Sequence, residues 1–356
     1  MKTKIIVILL SILLWSCTDN KMETKEKNTS DNSTENREHT SIHQQDQEKN
    51  NKNSVLDDSS ILVEAISFEE ITEDLSERFA APKFTSDGTK IIFTTENFIG
   101  IWVYNIAKET IQQINSMPGS GYKFSVSKDG KKIYFRNKTQ KGQRRGSKYS
   151  IIEQDIKTKK MNILYTTEKM ITTPIVFESS LHFLEDGNLK SLSLKSESNI
   201  DVKNVQPVYF VIDNKLMKYE LNSIPREIPL NKMKPISIDY TNDYKNIICL
   251  TASNGLLLLD MNGNVLNSFD KARNLTKLNN SSLVAFVEEE DDGTKITKSK
   301  MYIGLVSSNK KRNITNMKNE NIFNPSWSPV ANKIVYSSDE GKLKIVELNI
   351  NKEETK

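Results

Sequence analysis

The chain has 356 residues, and its 50 Lys and Arg against 46 Asp and Glu give a formal net charge of +4 at pH 7. So small a charge on a chain of this length argues against a dedicated nucleic-acid-binding protein. The two cysteines and three histidines form no Cys or His cluster with the spacing of a zinc site.

The first 17 residues have the layout of a secretion signal. Residues 1–4 carry two lysines, residues 5–14 form an apolar run too short to span a bilayer comfortably, and residues 14–17 read Leu-Trp-Ser-Cys. This resembles the signal of bacterial lipoproteins. The resemblance implies removal of residues 1–16, a diacylglycerol and an N-acyl chain such as palmitate on Cys17, and attachment to a membrane. By the sorting rule of proteobacterial lipoproteins, Thr18 rather than Asp at the next position favours the outer membrane over the inner. The alternative is an ordinary secretory signal followed by a chance cysteine.

Residues 17–60 are almost devoid of large apolar side chains. Such a segment cannot offset the entropy of ordering by burial, so we predict a disordered tether between the lipid and a folded domain over residues 61–356. His39 and His43 lie in this segment, and we predict that they are solvated and bind no metal.

One sequence unit recurs in the patterned region. An aromatic residue, a Ser or Thr, a tight turn and a Lys-Ile strand that ends on an aromatic residue follow one another at residues 82–93, 122–135 and 324–336. In the first two copies the turn is Asp-Gly, which is typical of hairpins because glycine reaches positive φ at little cost. A recurring unit of this size predicts a repeat fold.

Short apolar strands at regular spacing predict an all-β fold, a seven-bladed β-propeller. Only residues 68–78 are compatible with a short helix. The last blade lacks a fourth strand, and residues 61–66 are predicted to supply it and so close the ring. Six blades and an irregular segment are the alternative. The seven predicted blades span residues 84–114, 124–164, 174–194, 208–228, 236–266, 283–306 and 323–350.

The recurring unit resembles the repeats of TolB-type propellers, which are similar to those in the propeller domain of prolyl oligopeptidases. The match is clear in three copies and fades to bare periodicity in the other blades. The resemblance implies a scaffold whose partners are envelope proteins or the cell wall.

The patterned region offers little catalytic chemistry. Its one histidine, His182, lies in an apolar run and is predicted to be a strand residue, as is Cys249. No Gly-x-Ser-x-Gly elbow and no phosphate-binding glycine loop is present in the sequence. We therefore expect no enzyme, no cofactor and no metal. The alternative is a glycan-active hydrolase with two carboxylates in the propeller channel. The acidic residues 288–292 are interpreted as a solvated turn.

Two basic segments are candidates for contact with an anionic partner. Both are predicted to be exposed loops, and the residues concerned are Arg144, Arg145 and Lys148 in the first segment and Lys310, Lys311 and Arg312 in the second. Taken together, these features predict a lipid-anchored cell-envelope protein whose propeller binds other proteins.

Overall fold

The fold is seen in a computed structural model, which describes residues 63–140, 146–177, 179–194, 207–220, 223–241, 243–252, 255–315 and 320–350. Every regular element in this part of the chain is a β-strand, and the strands form seven antiparallel sheets. The all-β, seven-bladed propeller is therefore confirmed, and the six-bladed alternative is wrong. Within these residues, no helix has the length and apolar character needed to cross a bilayer.

The first described strand, β1 (Val63–Glu70), belongs to the last sheet, and the next eight strands form two four-stranded blades. Blade 1 consists of β2 (Phe79–Phe84), β3 (Lys90–Thr95), β4 (Ile99–Asn105) and β5 (Thr110–Pro118). Blade 2 consists of β6 (Ser125–Val126), β7 (Lys132–Gln140), β8 (Ser147–Asp155) and β9 (Met161–Thr167).

Blades 3 and 4 have three described strands each. They are β10 (Ile175–Phe177), β11 (Ser180–Glu185) and β12 (Asn188–Ser193), followed by β13 (Val208–Ile212), β14 (Lys215–Tyr219) and β15 (Arg226–Ile228). Residues 195–206, between the two blades, lie outside the described residues.

Blades 5 and 6 are again four-stranded. Blade 5 consists of β16 (Pro235–Tyr240), β17 (Asn246–Thr251), β18 (Leu256–Asp260) and β19 (Val265–Phe269), and blade 6 of β20 (Ala272–Lys277), β21 (Leu283–Asp291), β22 (Ile296–Leu305) and β23 (Ser308–Asn313). The sequence did not reveal β20 or β23, because neither shows an alternation of apolar residues.

Blade 7 closes the ring as predicted. Its strands β24 (Ile322–Trp327), β25 (Lys333–Ser338) and β26 (Leu343–Ile350) are completed by β1, which pairs with β26 from Val63 opposite Ile350 to Glu70 opposite Lys344. The prediction that residues 68–78 could form a short helix is wrong, because Phe68 packs against the core of blade 7 and its backbone continues β1.

The hydrophobic core lies between the blades. Seven clusters of buried side chains occur among the described residues, and each joins neighbouring blades. Between blades 7 and 1, for example, Phe79 and Phe93 pack against Val335 and Ile345. Because this contact joins the two ends of the blade series, burial stabilises the ring at its closing point as well as elsewhere.

The recurring turn has the same internal bonding wherever it is complete. The Asp87 carboxylate accepts hydrogen bonds from the Thr85 hydroxyl at 2.5 Å and from the Thr89 backbone N–H at 3.0 Å, while Gly88 takes a φ of +66°. In blade 2, Asp129 accepts from the Ser127 hydroxyl at 2.6 Å. These carboxylates are occupied by the donors of their own turns, which supports the structural interpretation of the Asp-Gly pairs.

Candidate functional site

The first strand of each blade faces the centre of the ring, and the space that these strands enclose holds a cavity of about 810 Å³. Residues of blades 1 to 5 provide most of its wall, and Asn279 and Pro329 add single contacts from blades 6 and 7. Because each of these strands is the end strand of its sheet, one backbone edge of each faces the channel. We call this space the central channel.

The lining of the central channel combines apolar, hydroxyl-bearing and basic side chains. Two carboxylates, those of Asp239 and Asp243, lie in the wall. The basic lining residues come from blades 1, 2 and 5 and are Lys83, Lys123, Lys128, Arg136 and Lys245. The apolar lining includes Phe84, Phe124, Val126, Ile175, Phe177, Phe210, Val211, Ile236 and Ile238.

Asp243 is fixed by a full set of donors. Its carboxylate accepts from the Thr241 hydroxyl at 2.7 Å, from the Lys245 backbone N–H at 3.2 Å and from the Lys277 ammonium of blade 6 at 3.1 Å. Burial alone would raise the pKa of Asp243, but these hydrogen bonds and the nearby ammonium outweigh it and hold the pKa below its ordinary value. Asp243 is therefore an ionised structural group.

Asp239 has a different setting. Its Oδ2 lies 3.6 Å from the Lys83 Nζ of blade 1, and the two side chains are 66% and 40% exposed. The Lys83 Nζ also lies 6.0 Å from the centre of the Phe124 ring in blade 2. This exposed ion pair joins blades 1 and 5, which are not neighbours in the ring.

A cluster of aromatic side chains forms the wall beside blade 5. The rings of Phe177 and Tyr244 are 5.0 Å apart and nearly perpendicular, and Tyr240 lies 6.1 Å from each of them. The Tyr240 hydroxyl accepts from the Tyr209 backbone N–H at 2.7 Å. Burial raises the pKa of Tyr244 to about 12, so its hydroxyl is neutral at pH 7.

Among the described residues, the channel lining does not supply the acid pair of a glycoside hydrolase. Such a site needs one carboxyl whose pKa is raised, so that it can donate a proton, and a second that acts as base or nucleophile. Asp243 has a lowered pKa and three donors, and Asp239 pairs with Lys83. Burial does raise the pKa of Glu289, but this residue lies on β21 and not in the channel lining.

His182 and Cys249 are buried strand residues, as predicted. His182 on β11 is 3% exposed, its Nδ1 lies 2.8 Å from the Ser191 hydroxyl, and burial lowers its pKa to about 4. Burial raises the pKa of the Cys249 thiol to about 11. Within the described residues, no group of three or more His, Cys, Asp or Glu side chains converges as a metal site would require.

The structure separates the residues that the sequence singled out. Cys17, Arg144 and Arg145 lie outside the described residues, and Lys148 is an exposed residue of β8 in blade 2. Lys310, Lys311 and Arg312 belong to β23 in blade 6, so the predicted loop is wrong. None of these four described residues lines the central channel.

Residues 310–312 form part of a strand because both their backbone and their side chains contact the rest of blade 6. Lys311 lies opposite Gly304 of β22, and its ammonium pairs with Glu288 and lies 4.7 Å from the centre of the Tyr302 ring. The interpretation of residues 288–292 as a turn also needs correction. Strand β21 continues to Asp291, and the hairpin tip begins at Asp292, whose carboxylate accepts the Lys295 N–H.

Sequence reasoning missed the channel residues, although blade 5 carried a usable signal. Thr241 and Asp243 repeat the Ser/Thr-x-Asp pattern of blades 1 and 2, and Tyr244, at a φ of +54°, stands where those blades have glycine. An alignment of the three turns would have placed Asp239 two residues before the start of the Thr-Asn-Asp pattern, on the first strand of blade 5.

No protein-family model matches the chain. No curated protein matches it either. Among solved structures, the WD40 repeats of RRP9 align with 81% of this chain and 100% of theirs at 10% identity and a TM-score of 0.54. This likeness shows the β-propeller fold and nothing more.

Two further solved structures align less well. An oligogalacturonate lyase from Vibrio parahaemolyticus covers 75% of this chain and 76% of its own at 11% identity, with a TM-score of 0.46. TolB from Acinetobacter baumannii covers 71% of this chain and 57% of its own at 16% identity, with a TM-score of 0.45. A fold by itself does not decide whether a chain is an enzyme.

Proposed function

We propose that this chain is a lipoprotein of the bacterial cell envelope whose propeller is a binding scaffold, and that an acidic and apolar segment of an envelope protein binds in the central channel. The anchor is the lipid on Cys17, held in the outer membrane, and residues 17–60 link it to the domain. This part of the proposal is supported by the sequence of the first 60 residues.

The observation that carries the binding proposal is the composition of the channel wall. Five basic side chains face two carboxylates, and both carboxylates already have cationic partners within the protein. A surplus of cations in a recessed site attracts anionic groups, because a cleft focuses the electrostatic field. Apolar and aromatic side chains fill most of the remaining wall and suit the side chains of a protein segment.

A protein segment fits this wall better than a glycan does. The described lining offers one side-chain amide, that of Asn279, two carboxylates that are already paired, and the hydroxyl groups of eight Ser and Thr and three Tyr residues, so the choice of a protein segment rests on the apolar wall and the backbone edges and not on a shortage of hydrogen-bonding groups. The backbone edges that face the channel can bond to an extended peptide, which is a common mode of peptide recognition.

Affinity capture from bacterial envelopes after mild crosslinking tests the proposal. The full chain and Cys17→Ala are compared, with membrane fractionation of both. We expect the full chain in the outer-membrane fraction together with one reproducible protein partner, and we expect Cys17→Ala to be released from the membrane and to capture less of that partner. If Cys17→Ala stays in the membrane fraction, the lipid anchor is wrong. If the full chain captures no envelope protein but degrades a glycan, the scaffold is wrong.

A further inference from the structure

The ion pair between Lys83 and Asp239 has no evident role in holding the blades together. Neighbouring blades are joined by buried clusters, whereas this pair connects blades 1 and 5 through the open channel. An exposed pair of this kind contributes at most about 1 kcal/mol to stability. Its position in the channel therefore calls for another explanation.

The environment of Lys83 is that of a carboxylate-binding site. Its ammonium lies 6.0 Å from the centre of the Phe124 ring, and the basic residues Lys123 and Lys128 line the same channel from blade 2. The carboxylate at this site is Asp239, which belongs to the protein itself. Asp239 thus occupies, at 3.6 Å, the place that an acidic ligand group would take.

The two channel carboxylates differ in how easily they can be displaced. Asp243 is 9% exposed and has three donors, one of them the Lys277 ammonium, which is 10% exposed. Asp239 is 66% exposed, and besides pairing with Lys83 it accepts a hydrogen bond from the backbone N–H of Tyr240 at 2.8 Å. When the Lys83 ammonium leaves Asp239 and pairs with a ligand carboxylate, one solvated ion pair replaces another. The exchange itself is therefore nearly neutral in free energy.

We infer that Asp239 is a built-in competitor for the anion site at Lys83: it occupies the site in the absence of a partner and sets a threshold that an acidic partner segment must exceed. This inference rests on the proposed function, because it concerns the same channel. Asp239 selects against weakly acidic segments, because a segment with a single carboxylate gains little by replacing it. A segment with several carboxylates also reaches Lys123 and Lys128 and overcomes the competition.

The test measures binding of a fluorescein-labelled peptide of five Glu-Leu repeats to the full chain, by fluorescence anisotropy in low salt. A peptide of five Lys-Leu repeats controls for charge, and labelled trigalacturonate represents an anionic glycan. The variants are Asp239→Asn, Lys83→Met and the double variant. Asn at 239 can still accept the Tyr240 N–H, so the fold is preserved, which thermal unfolding checks. Glu227→Gln is the matched control, since it removes one charge from another exposed ion pair, Lys215–Glu227 at 2.8 Å, outside the channel.

We expect Asp239→Asn to bind the Glu-Leu peptide about fivefold more tightly than the unaltered protein, and Glu227→Gln to bind it as the unaltered protein does. Lys83→Met should bind the peptide within about twofold of the unaltered protein, because the exchange at Lys83 is nearly neutral, and the gain from Asp239→Asn should largely disappear when Lys83 is replaced. The gain should also shrink at high salt, because screening weakens an exposed pair.

The possible failures are distinguishable. If the unaltered protein binds the Glu-Leu peptide and Asp239→Asn binds it no more tightly, the competitor role is wrong and the proposed function stands. An equal gain in the Lys83→Met background also overturns the inference, since Asp239 would then act only as a diffuse negative charge. If neither form binds the Glu-Leu peptide, or if trigalacturonate alone binds, the proposed protein-binding function fails.

Discussion

The Lys277 ammonium lies 3.1 Å from the Asp243 carboxylate and joins the innermost strand of blade 6 to the repeated turn of blade 5. Both side chains are about nine-tenths buried. A pair this well enclosed has given up most of its hydration, so each charge depends on the other.

Replacing Asp243 with Asn should therefore be costly. We expect Asp243→Asn to lower the free energy of unfolding by about 3 kcal/mol, because the Lys277 ammonium would be left buried without its counter-charge. Urea unfolding measures this. The double variant Asp243→Asn, Lys277→Met should lose less than the sum of the single changes. A loss below about 0.5 kcal/mol for Asp243→Asn would contradict the role assigned to the pair.

His182 should make the folded domain sensitive to mild acid. Its pKa is about 4 in the folded protein, against about 6.5 in the unfolded chain, so the unfolded chain binds more protons between these values. The stabilising contribution is complete above pH 6.5 and should fall by about 3 kcal/mol as the pH drops to 4.

Urea unfolding at pH 7 and at pH 4.5 checks this, with His182→Gln as the comparison. The variant should lose much less stability between the two pH values than the unaltered protein, because Gln does not titrate. Carboxyl groups with lowered pKa values, such as those of Asp87 and Asp129, change the stability mainly below pH 4, and they do so equally in both proteins. Equal losses in the two proteins would show that His182 is not the titrating group.

The strand that closes the ring should be essential to the fold. A chain that begins at residue 71 lacks β1 and exposes the edge of β26, which invites pairing between molecules. We expect its melting temperature to fall by about 10 °C or more and the protein to associate, whereas a chain that begins at residue 60 should melt like the full chain. A monomeric product with an unchanged melting temperature would mean that closure by β1 is dispensable.

The basic strand β23 remains a predicted contact for an anionic partner, and it can be compared directly with the channel. Lys311 already pairs with Glu288 and lies against Tyr302, whereas Lys128 is an exposed side chain in the channel wall. In capture from envelopes, we therefore expect Lys128→Ser to reduce the yield of the partner several-fold and Lys311→Ser to change it by less than twofold. The reverse order would place recognition on the edge of blade 6.

The sequence allowed the fold to be predicted because each blade carries its own local signals. The apolar run of β3 lies within a few residues of the Asp87 turn, and the lack of a fourth strand in blade 7 is readable from the polar residues after position 350. The strand β20 was missed because the polar residues Arg273 and Asn274 interrupt its pattern, although Leu275 packs into the core between blades 5 and 6.

The candidate site could not be predicted from the sequence, for a different reason. Lys83 and Asp239 are 156 positions apart in the chain and meet only because two non-neighbouring blades face the same channel. The basic residues Lys310 and Lys311 were prominent because they are consecutive, but adjacency in sequence does not place them at a recessed surface. The channel wall depends on which edge of each blade faces inward, and that is fixed by packing between blades.

Site-specific photocrosslinking tests the central claim most directly. A photoreactive residue replaces Ile236, which is 54% exposed in the channel wall, or Ile163, which is 68% exposed on the outer strand of blade 2. Irradiation of cells that make the full chain should join the partner to the protein through position 236 and not through position 163. A specific adduct through position 163 alone, or none through either position, would contradict binding in the channel.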